Sequence, residues 1–311
     1  MLASTALLSA TPIAAQEASD VTTSVLPNAA PASAEMSDAD VGLIEAPEGA
    51  ASLGVDPAAA DHFDANGFGE TRQMNFAPMA APAEGPPVHS PVVVELFTSQ
   101  GCSSCPVADE MLRHLANRSD VLALSWHVDY WDYLGWADEF GSPTFTGRQK
   151  AYARSIGERS VYTPQIMVGG TQTLIHLRPA DLMGMIEAQI AQPIVVSVNV
   201  KGIGESFQLE LTPRAKPQSE IAILLVRYVP ERSVTIGGGE NMGRKLVYRN
   251  VVLAVERLAV WDGKAPLRLK VSAGTSANAR FPKDTRHAIL AQQIGRHGRA
   301  TGPIFAAVKL D

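Results

Sequence analysis

The chain of 311 residues contains only two cysteines, Cys102 and Cys105, and two serines separate them. Two thiols at this spacing can form a disulfide, exchange it with another thiol, or bind a soft metal ion. They cannot build a disulfide framework or a four-thiolate zinc site. Any chemistry of these thiols therefore belongs to the pair as a unit.

The residues around the pair predict a strand that runs into a helix. The apolar run PVVVELFTSQG precedes Cys102, and apolar residues recur at helical spacing after Pro106. A thiol at a helix N-terminus meets unpaired backbone N–H groups and the positive end of the helix dipole, which stabilise a thiolate. We therefore expect Cys102 to be the exposed nucleophile and Cys105, one turn further in, to resolve the mixed disulfide.

Other roles for the pair stay open. A structural disulfide over four residues restrains the unfolded chain by only about 2 kcal/mol in the loop-entropy model, a small effect for a stabilising crosslink. A copper or zinc carrier would use Cys102, Cys105 and His127, a set without an evident fourth ligand. The third alternative is a non-catalytic envelope-binding module whose thiols are inert.

The segment 89–192 alternates strand and helix patterns, which predicts an α/β domain. A second strand covers 121–128, and Ser142 followed by Pro143 starts a helix that ends near Gly157. A third strand begins at Pro164, turns at two glycines and pairs with TQTLIH, and Pro179 opens the last helix. The order is strand, helix, strand, helix, strand, strand, helix.

An aromatic and acidic stretch follows the second strand. His127, Asp129, Tyr130 and Trp131 lie where that strand ends, and the dithiol follows the end of the first strand. If the two strands are parallel neighbours, both ends meet at one edge of the sheet. We expect these side chains to line the site, with Asp129 orienting His127.

This order of elements, with a dithiol after the first strand and Thr163–Pro164 before the third, resembles the thioredoxin fold. The resemblance implies that Pro164 is cis and that the Thr163 backbone faces Cys102, where it binds an extended substrate chain. Glu95 stands where thioredoxins carry an acid in the first strand. A buried carboxyl there would relay a proton to Cys105, and the alternative is an acid that faces solvent or pairs with an arginine.

A closer resemblance is carried by ELFTSQGCSSCPVAD, HVDYWDYLGW, RQKAYA and VYTPQIMVGG. Together they are similar to a secreted bacterial thioredoxin-like family classed as a domain of unknown function. The family supplies no substrate. The chain departs from thioredoxin in having two serines between the cysteines, so no reduction potential follows from the resemblance.

From 193 to 311 the sequence changes to apolar β-type segments separated by Gly, Pro, Asn and Ser. Their number and spacing predict a separate antiparallel β-sandwich domain of about seven or eight strands. Its glycine-rich turns do not have the sequence of phosphate-binding loops.

The N-terminal third differs in composition from the rest of the chain. Residues 1–18 resemble the end of an export signal, and the composition of 19–88 predicts an acidic Ala/Pro-rich disordered linker. The first 90 residues hold twelve acids and one base, whereas 91–311 hold 20 acids and 25 bases. With no long apolar run and no dense basic block, the sequence favours neither a membrane span nor nucleic-acid binding.

The sequence thus predicts a periplasmic or secreted thiol-disulfide oxidoreductase. It would need no cofactor besides its own disulfide, and its partners would be protein thiols or disulfides of the cell envelope. The sequence does not determine the direction of exchange or the oligomeric state.

Overall fold

The computed structural model describes residues 42–43, 90–203, 206–272, 281–295 and 298–311. The predictions of an export signal at 1–18 and of a disordered linker at 19–88 lie outside these residues, apart from a two-residue strand at Gly42–Leu43. In the described part of the chain, no helix combines the length and apolar character needed to cross a membrane.

The structure contains three α-helices and thirteen strands within the described ranges. The helices are α1 (Cys105–Leu115), α2 (Pro143–Ile156) and α3 (Pro179–Ile190). The first six strands are β1 (Gly42–Leu43), β2 (Val92–Thr98), β3 (Val121–His127), β4 (Ser160–Val161), β5 (Gln165–Val168) and β6 (Gln172–Leu174). The remaining strands are β7 (Val196–Ile203), β8 (Ser206–Pro213), β9 (Ile221–Thr235), β10 (Lys245–Trp261), β11 (Leu267–Ser272), β12 (Arg286–Ile294) and β13 (Ala300–Lys309).

The local signals in 89–192 act as predicted. Ser142 has an extended backbone, and its hydroxyl accepts a hydrogen bond from the Thr144 N–H at 3.2 Å, so it caps α2. Helix α2 ends before Gly157, and the β5–β6 hairpin turns at Gly169 and Gly170.

One mixed sheet of eight strands forms the centre of the fold, in the order β13-β12-β9-β10-β3-β2-β5-β6. Strands β2 and β3 are parallel, β10 joins β3 in parallel through Val251 and Ser125, and the other neighbours are antiparallel. Helices α1 and α3 pack on one face of β2, β3 and β5, and α2 packs on the other face. The parallel β2–β3 pair brings the ends of both strands to one edge of the sheet.

The C-terminal segment 193–311 does form seven strands, but they do not build the predicted separate sandwich. Strands β9, β10, β12 and β13 extend the central sheet, and β11-β8-β7 forms a second, antiparallel sheet that covers one face of this extension. The physical reason is that β9 and β12 are buried on both faces over most of their length. A continuous apolar run of that kind is typical of an interior strand, whereas a two-sheet sandwich needs alternation.

A buried ion pair connects the two parts of the sheet. Arg148 of α2 donates from Nε to Glu95 Oε1 of β2 at 2.8 Å and from Nη2 to Gln292 Oε1 of β12 at 3.0 Å. The guanidinium also lies 4.9 Å from the ring centres of Trp126 and Tyr152. Glu95 is fully buried, and its second oxygen accepts a hydrogen bond from the Tyr152 hydroxyl. Glu95 therefore takes the arginine-paired alternative, and its polar contacts support a structural role.

We expect Glu95→Gln to lower the free energy of unfolding by about 3 kcal/mol, because the substitution leaves the buried Arg148 without a countercharge. Urea unfolding of the full chain measures the change. Glu220→Gln, at the exposed position just before β9, is the control and should stay within about 0.5 kcal/mol of wild type. A Glu95→Gln protein as stable as this control would contradict the assignment.

Candidate functional site: a covered dithiol

The two cysteines form a disulfide in the turn that leads into α1. Ser104 is the cap residue and Cys105 the first residue of the helix, so Cys102 lies just outside the helix N-terminus, as the sequence predicts. The Cys102 Sγ lies 3.4 Å from Ser104 Oγ. Both cysteines are 0% exposed, although Ser103 between them is exposed. The prediction of an exposed Cys102 is therefore wrong for this state of the protein.

The cover over Cys102 is the connection between β9 and β10, residues 236–244, which we name the cap segment. Asn241 is fully buried, and its Nδ2 donates to the carbonyl oxygens of Gln100 at 3.0 Å and Cys102 at 2.7 Å. The Ser103 N–H donates to Glu240 Oε2 at 2.8 Å. These bonds pair the polar backbone of the dithiol turn, as burial of that backbone requires.

Glycines let the cap segment approach this closely. A side chain at Gly237 would overlap the ring of Trp136, and Gly239 has φ of 70° and packs on Gly101. Trp136 in turn donates from Nε1 to Gln100 Oε1 at 2.7 Å. The glycine-rich turn, which by sequence is a simple connection between strands, is thus part of the site.

Trp131 connects the dithiol turn with the third strand of the α/β segment. Its Cβ would lie only 3.2 Å from a Cβ at position 101, which is a glycine, and its Nε1 donates to Thr163 Oγ1 at 2.7 Å. The Thr163–Pro164 peptide bond is cis, as the resemblance implies. The predicted lining residue Trp131 therefore packs against the turn that carries Cys102 and is bonded to Thr163.

A buried acid lies one helical turn after Cys105. Asp109 is four residues further along α1, a spacing that places both side chains on one face of the helix. Thr98 Oγ1 donates to Asp109 Oδ2 at 3.2 Å. Burial raises the pKa of Asp109 from 3.8 to about 7, although His127 and the Thr98 hydrogen bond act in the opposite direction. This carboxyl group therefore exchanges a proton near neutral pH.

His127 is fully buried and is oriented by Asp138. The distance from its Nδ1 to Asp138 Oδ2 is 2.7 Å, and its ring makes edge-to-face contacts with those of Phe140 and Tyr248. Burial opposes the imidazolium, but the charge and hydrogen bond of Asp138 outweigh it and raise the pKa of His127. Burial likewise opposes the Asp138 carboxylate, and His127 more than compensates, so the pKa of Asp138 is lowered. Asp138 also accepts the Gln100 N–H at 2.8 Å, which connects this pair with the dithiol turn.

Buried polar atoms gather behind the disulfide. Asp109 Oδ1, His127 Nε2 and the Tyr248 hydroxyl have no hydrogen-bond partner among the described residues. The His127 and Tyr248 ring centres are 4.7 Å apart, and both side chains interact electrostatically with Asp109. Because buried polar groups are normally paired, these unpaired atoms make the surroundings of the dithiol a candidate functional site.

The remaining predicted lining residues face α2. The Asp129 carboxylate accepts a hydrogen bond from the Thr146 hydroxyl, and Tyr130 donates to Gln149 Oε1 at 3.2 Å. The prediction that Asp129 orients His127 is wrong, because Asp138 occupies that position. No pattern in the sequence favours Asp138, which is eleven residues from His127 in the chain.

The alternative metal set of Cys102, Cys105 and His127 is not assembled in this state. The two thiols are bonded to each other, and His127 is bonded to Asp138. Across the described ranges, no group of three or more His, Cys, Asp or Glu side chains is arranged to hold a metal ion.

Four residues of the site were missed by sequence reasoning. Asp109 resembles an ordinary acid near a helix start, and Asp138, Glu240 and Asn241 lie in connections without a catalytic motif. Only Asp109 carried a usable signal, because its spacing from Cys105 places it on the same helix face as a buried thiol.

The comparison with protein families identifies the chain. Residues 93–292 match the family described as a protein of unknown function, DUF1223, so the chain belongs to that family. The match spans both the α/β segment and most of the C-terminal strands. The match confirms the predicted membership of a family classed as a domain of unknown function.

Two solved structures have similar folds. A crystal structure of a protein from Agrobacterium tumefaciens is 32% identical in sequence, with a TM-score of 0.59, and the match covers 71% of this chain and 94% of that one. HBP35 of Porphyromonas gingivalis is 15% identical, with a TM-score of 0.51, and covers 71% and 74% of the two chains, which shows a shared fold alone. No curated protein matches the chain significantly.

The raised pKa of Asp109 predicts a pH-dependent stability difference between wild type and Asp109→Asn. The native protein binds the Asp109 proton more tightly than the unfolded chain does. The free energy of unfolding of the wild type therefore falls as pH rises from about 4 to about 7, and it falls no further on this account at higher pH. The Asp109→Asn variant does not lose stability in this way, because its side-chain amide does not titrate. We expect equal stabilities near pH 4 and a variant that is more stable by about 4 kcal/mol at pH 8. Urea unfolding of the oxidised proteins at both pH values measures it, and a pH-independent difference would contradict the assignment.

Proposed function

We propose that this protein is a thiol-disulfide oxidoreductase that acts in the cell envelope after export. The observation that carries the proposal is the position of the disulfide. Cys102 and Cys105 lie at the N-terminus of α1, with a buried carboxyl group one turn below the second sulfur. Helix N-termini stabilise thiolates, and a buried acid supplies the proton that a leaving thiolate needs.

The topology supports a thioredoxin-like assignment for residues 89–192. In this segment β2 and β3 are parallel, β5 and β6 continue the sheet in antiparallel pairs, and α1 and α3 share one face opposite α2. This is the order that the resemblance to thioredoxin implies, and the cis Thr163–Pro164 bond agrees with it.

The exchange takes place in two displacements. A partner thiolate attacks Cys102 Sγ and forms a mixed disulfide, while the Cys102–Cys105 bond breaks and Cys105 leaves as a thiolate. A second partner thiolate then attacks the partner sulfur of the mixed disulfide, and Cys102 leaves as a thiolate. The partner loses two electrons and gains a disulfide, and the protein ends with two reduced cysteines. The reverse sequence reduces a partner disulfide.

Asp109 is the proton donor for Cys105 in this scheme. With a pKa of about 7, its carboxyl group is partly protonated at neutral pH and can protonate the thiolate that leaves. The His127–Asp138 pair holds a proton nearby through its raised and lowered pKa values. Asp109 thus takes the role that the resemblance to thioredoxin implied for Glu95.

Access to Cys102 requires movement of the cap segment. The turn itself reaches the surface at Ser103, where the cap segment is bonded to it, so we expect displacement of the cap segment to open a path to Cys102. Large apolar side chains are exposed on segments next to the turn, namely Val107, Tyr133 and Met242. Exposed apolar groups of this kind favour a protein partner.

We expect Cys105→Ser to accumulate covalent partners through Cys102. With the resolving thiol removed, a mixed disulfide between Cys102 and a partner cannot be released from within the protein. The full-length variant is expressed in an exporting bacterium, thiols are blocked by acid and alkylation, and adducts are detected on non-reducing gels.

Cys102→Ser is the matched control, since its remaining thiol lies inside the helix and should trap few partners. If Cys105→Ser forms no more adducts than Cys102→Ser, the exchange function is rejected in favour of a structural disulfide.

A further inference from the structure

We propose that Glu240 of the cap segment is a positioning residue that sets the acidity of the Cys102 thiol and holds the cap closed over the disulfide. The inference rests on the proposed function, because the acidity of the attacking thiol matters only if the dithiol exchanges. The inference gives the C-terminal half of the chain a role in the dithiol exchange, which the two cysteines and Asp109 do not by themselves require.

The contact that carries the inference joins two distant parts of the sequence. Glu240 Oε2 accepts the N–H of Ser103 at 2.8 Å, across 137 positions in the chain. Ser103 directly follows Cys102 and precedes the cap residue of α1, so its N–H belongs to the turn just outside the helix. An unpaired N–H next to Cys102 would stabilise a thiolate there, and Glu240 occupies this one.

The redox state of Cys102 decides how this contact behaves. In the disulfide the sulfur is uncharged, and the Glu240 carboxylate takes the Ser103 N–H without competition. After reduction, a thiolate at Cys102 is a second anion beside the same N–H. Neighbouring like charges oppose each other, so we expect Glu240 to raise the pKa of Cys102 and the thiolate to weaken the hydrogen bond between Ser103 and Glu240.

Other charged groups surround the same turn and are common to the Glu240→Gln protein and its parent. Asp109 lies below the turn on α1, His127 and Asp138 lie behind it, and Arg244 of the cap segment donates to Asn241 Oδ1 at 2.8 Å. Arg244 is exposed as well, but Glu240 is the exposed group of this set that is bonded directly to the backbone of the turn. Its charge can therefore be removed without opening the buried cluster.

The test is Glu240→Gln in a Cys105→Ser background, where Cys102 is the single thiol. The alkylation rate of Cys102 is followed against pH. The midpoint of the curve gives the pKa of the Cys102 thiol. The plateau rate at high pH reports how accessible the Cys102 sulfur is beneath the cap segment. We expect the midpoint to fall by about one unit, so that about tenfold more thiolate is present at pH values below both midpoints.

Two further measurements test whether the effect of Glu240 is electrostatic and acts on the dithiol. In proteins with both cysteines, Glu240→Gln should shift the equilibrium with glutathione toward the reduced form by up to about tenfold, which is about 30 mV for a two-electron couple. The difference between Glu240→Gln and wild type should shrink in about 1 M salt, because this contact is exposed.

The control is Glu220→Gln, which removes the same charge at the other end of the fifteen-residue strand β9. Equal midpoints for Glu240→Gln and its Glu240 parent would overturn the inference, and so would a similar shift in Glu220→Gln. If the midpoint shifts as expected while Cys105→Ser traps no partners, the electrostatic role of Glu240 stands and the exchange function fails.

Discussion

The dithiol turn depends on partners for its own backbone. A turn that carries a disulfide into a helix leaves carbonyl and N–H groups without intrahelical partners, and burying them unpaired would cost more than the disulfide contributes. Asn241 and Glu240 supply these partners from the far end of β9. Strand β10, which follows the cap segment, belongs to the same eight-stranded sheet as β2 and β3, and the hydrogen bonds of Asn241 and Glu240 hold the cap segment at the turn after β2.

The same arrangement explains why the C-terminal strands are not an independent module. In a separate β-sandwich domain, these strands would not share a sheet with β2 and β3, as they do here. In the observed sheet, Arg148 ties β2 to β12 from within the core, and Asn250 Nδ2 bonds the Ala123 carbonyl at 2.8 Å where β10 meets β3. The family match, which extends through most of both segments, agrees with one common unit.

The sequence was most informative where short-range signals decide the structure. The Ser142–Pro143 start of α2, the glycine turn between β5 and β6 and the strand before Cys102 depend on neighbouring residues, and all are confirmed. The sheet extension and the cover over Cys102 depend on contacts between residues more than a hundred positions apart. No local pattern marks Asn241 as the partner of Cys102. The different roles of Glu95 and Asp109 likewise depend on contacts with distant residues, since Glu95 is paired with Arg148 and Asp109 is bonded to Thr98.

A redox-active dithiol and a stabilising crosslink differ most directly in the reduction potential of the disulfide, here the bond between Cys102 and Cys105. The oxidised full-length protein is equilibrated with defined ratios of thiol and disulfide buffer, and the reduced fraction is counted by alkylation. Exchange catalysts lie between about −270 and −120 mV, and we predict a value in this range. A potential below about −300 mV, typical of structural disulfides, would contradict the exchange function.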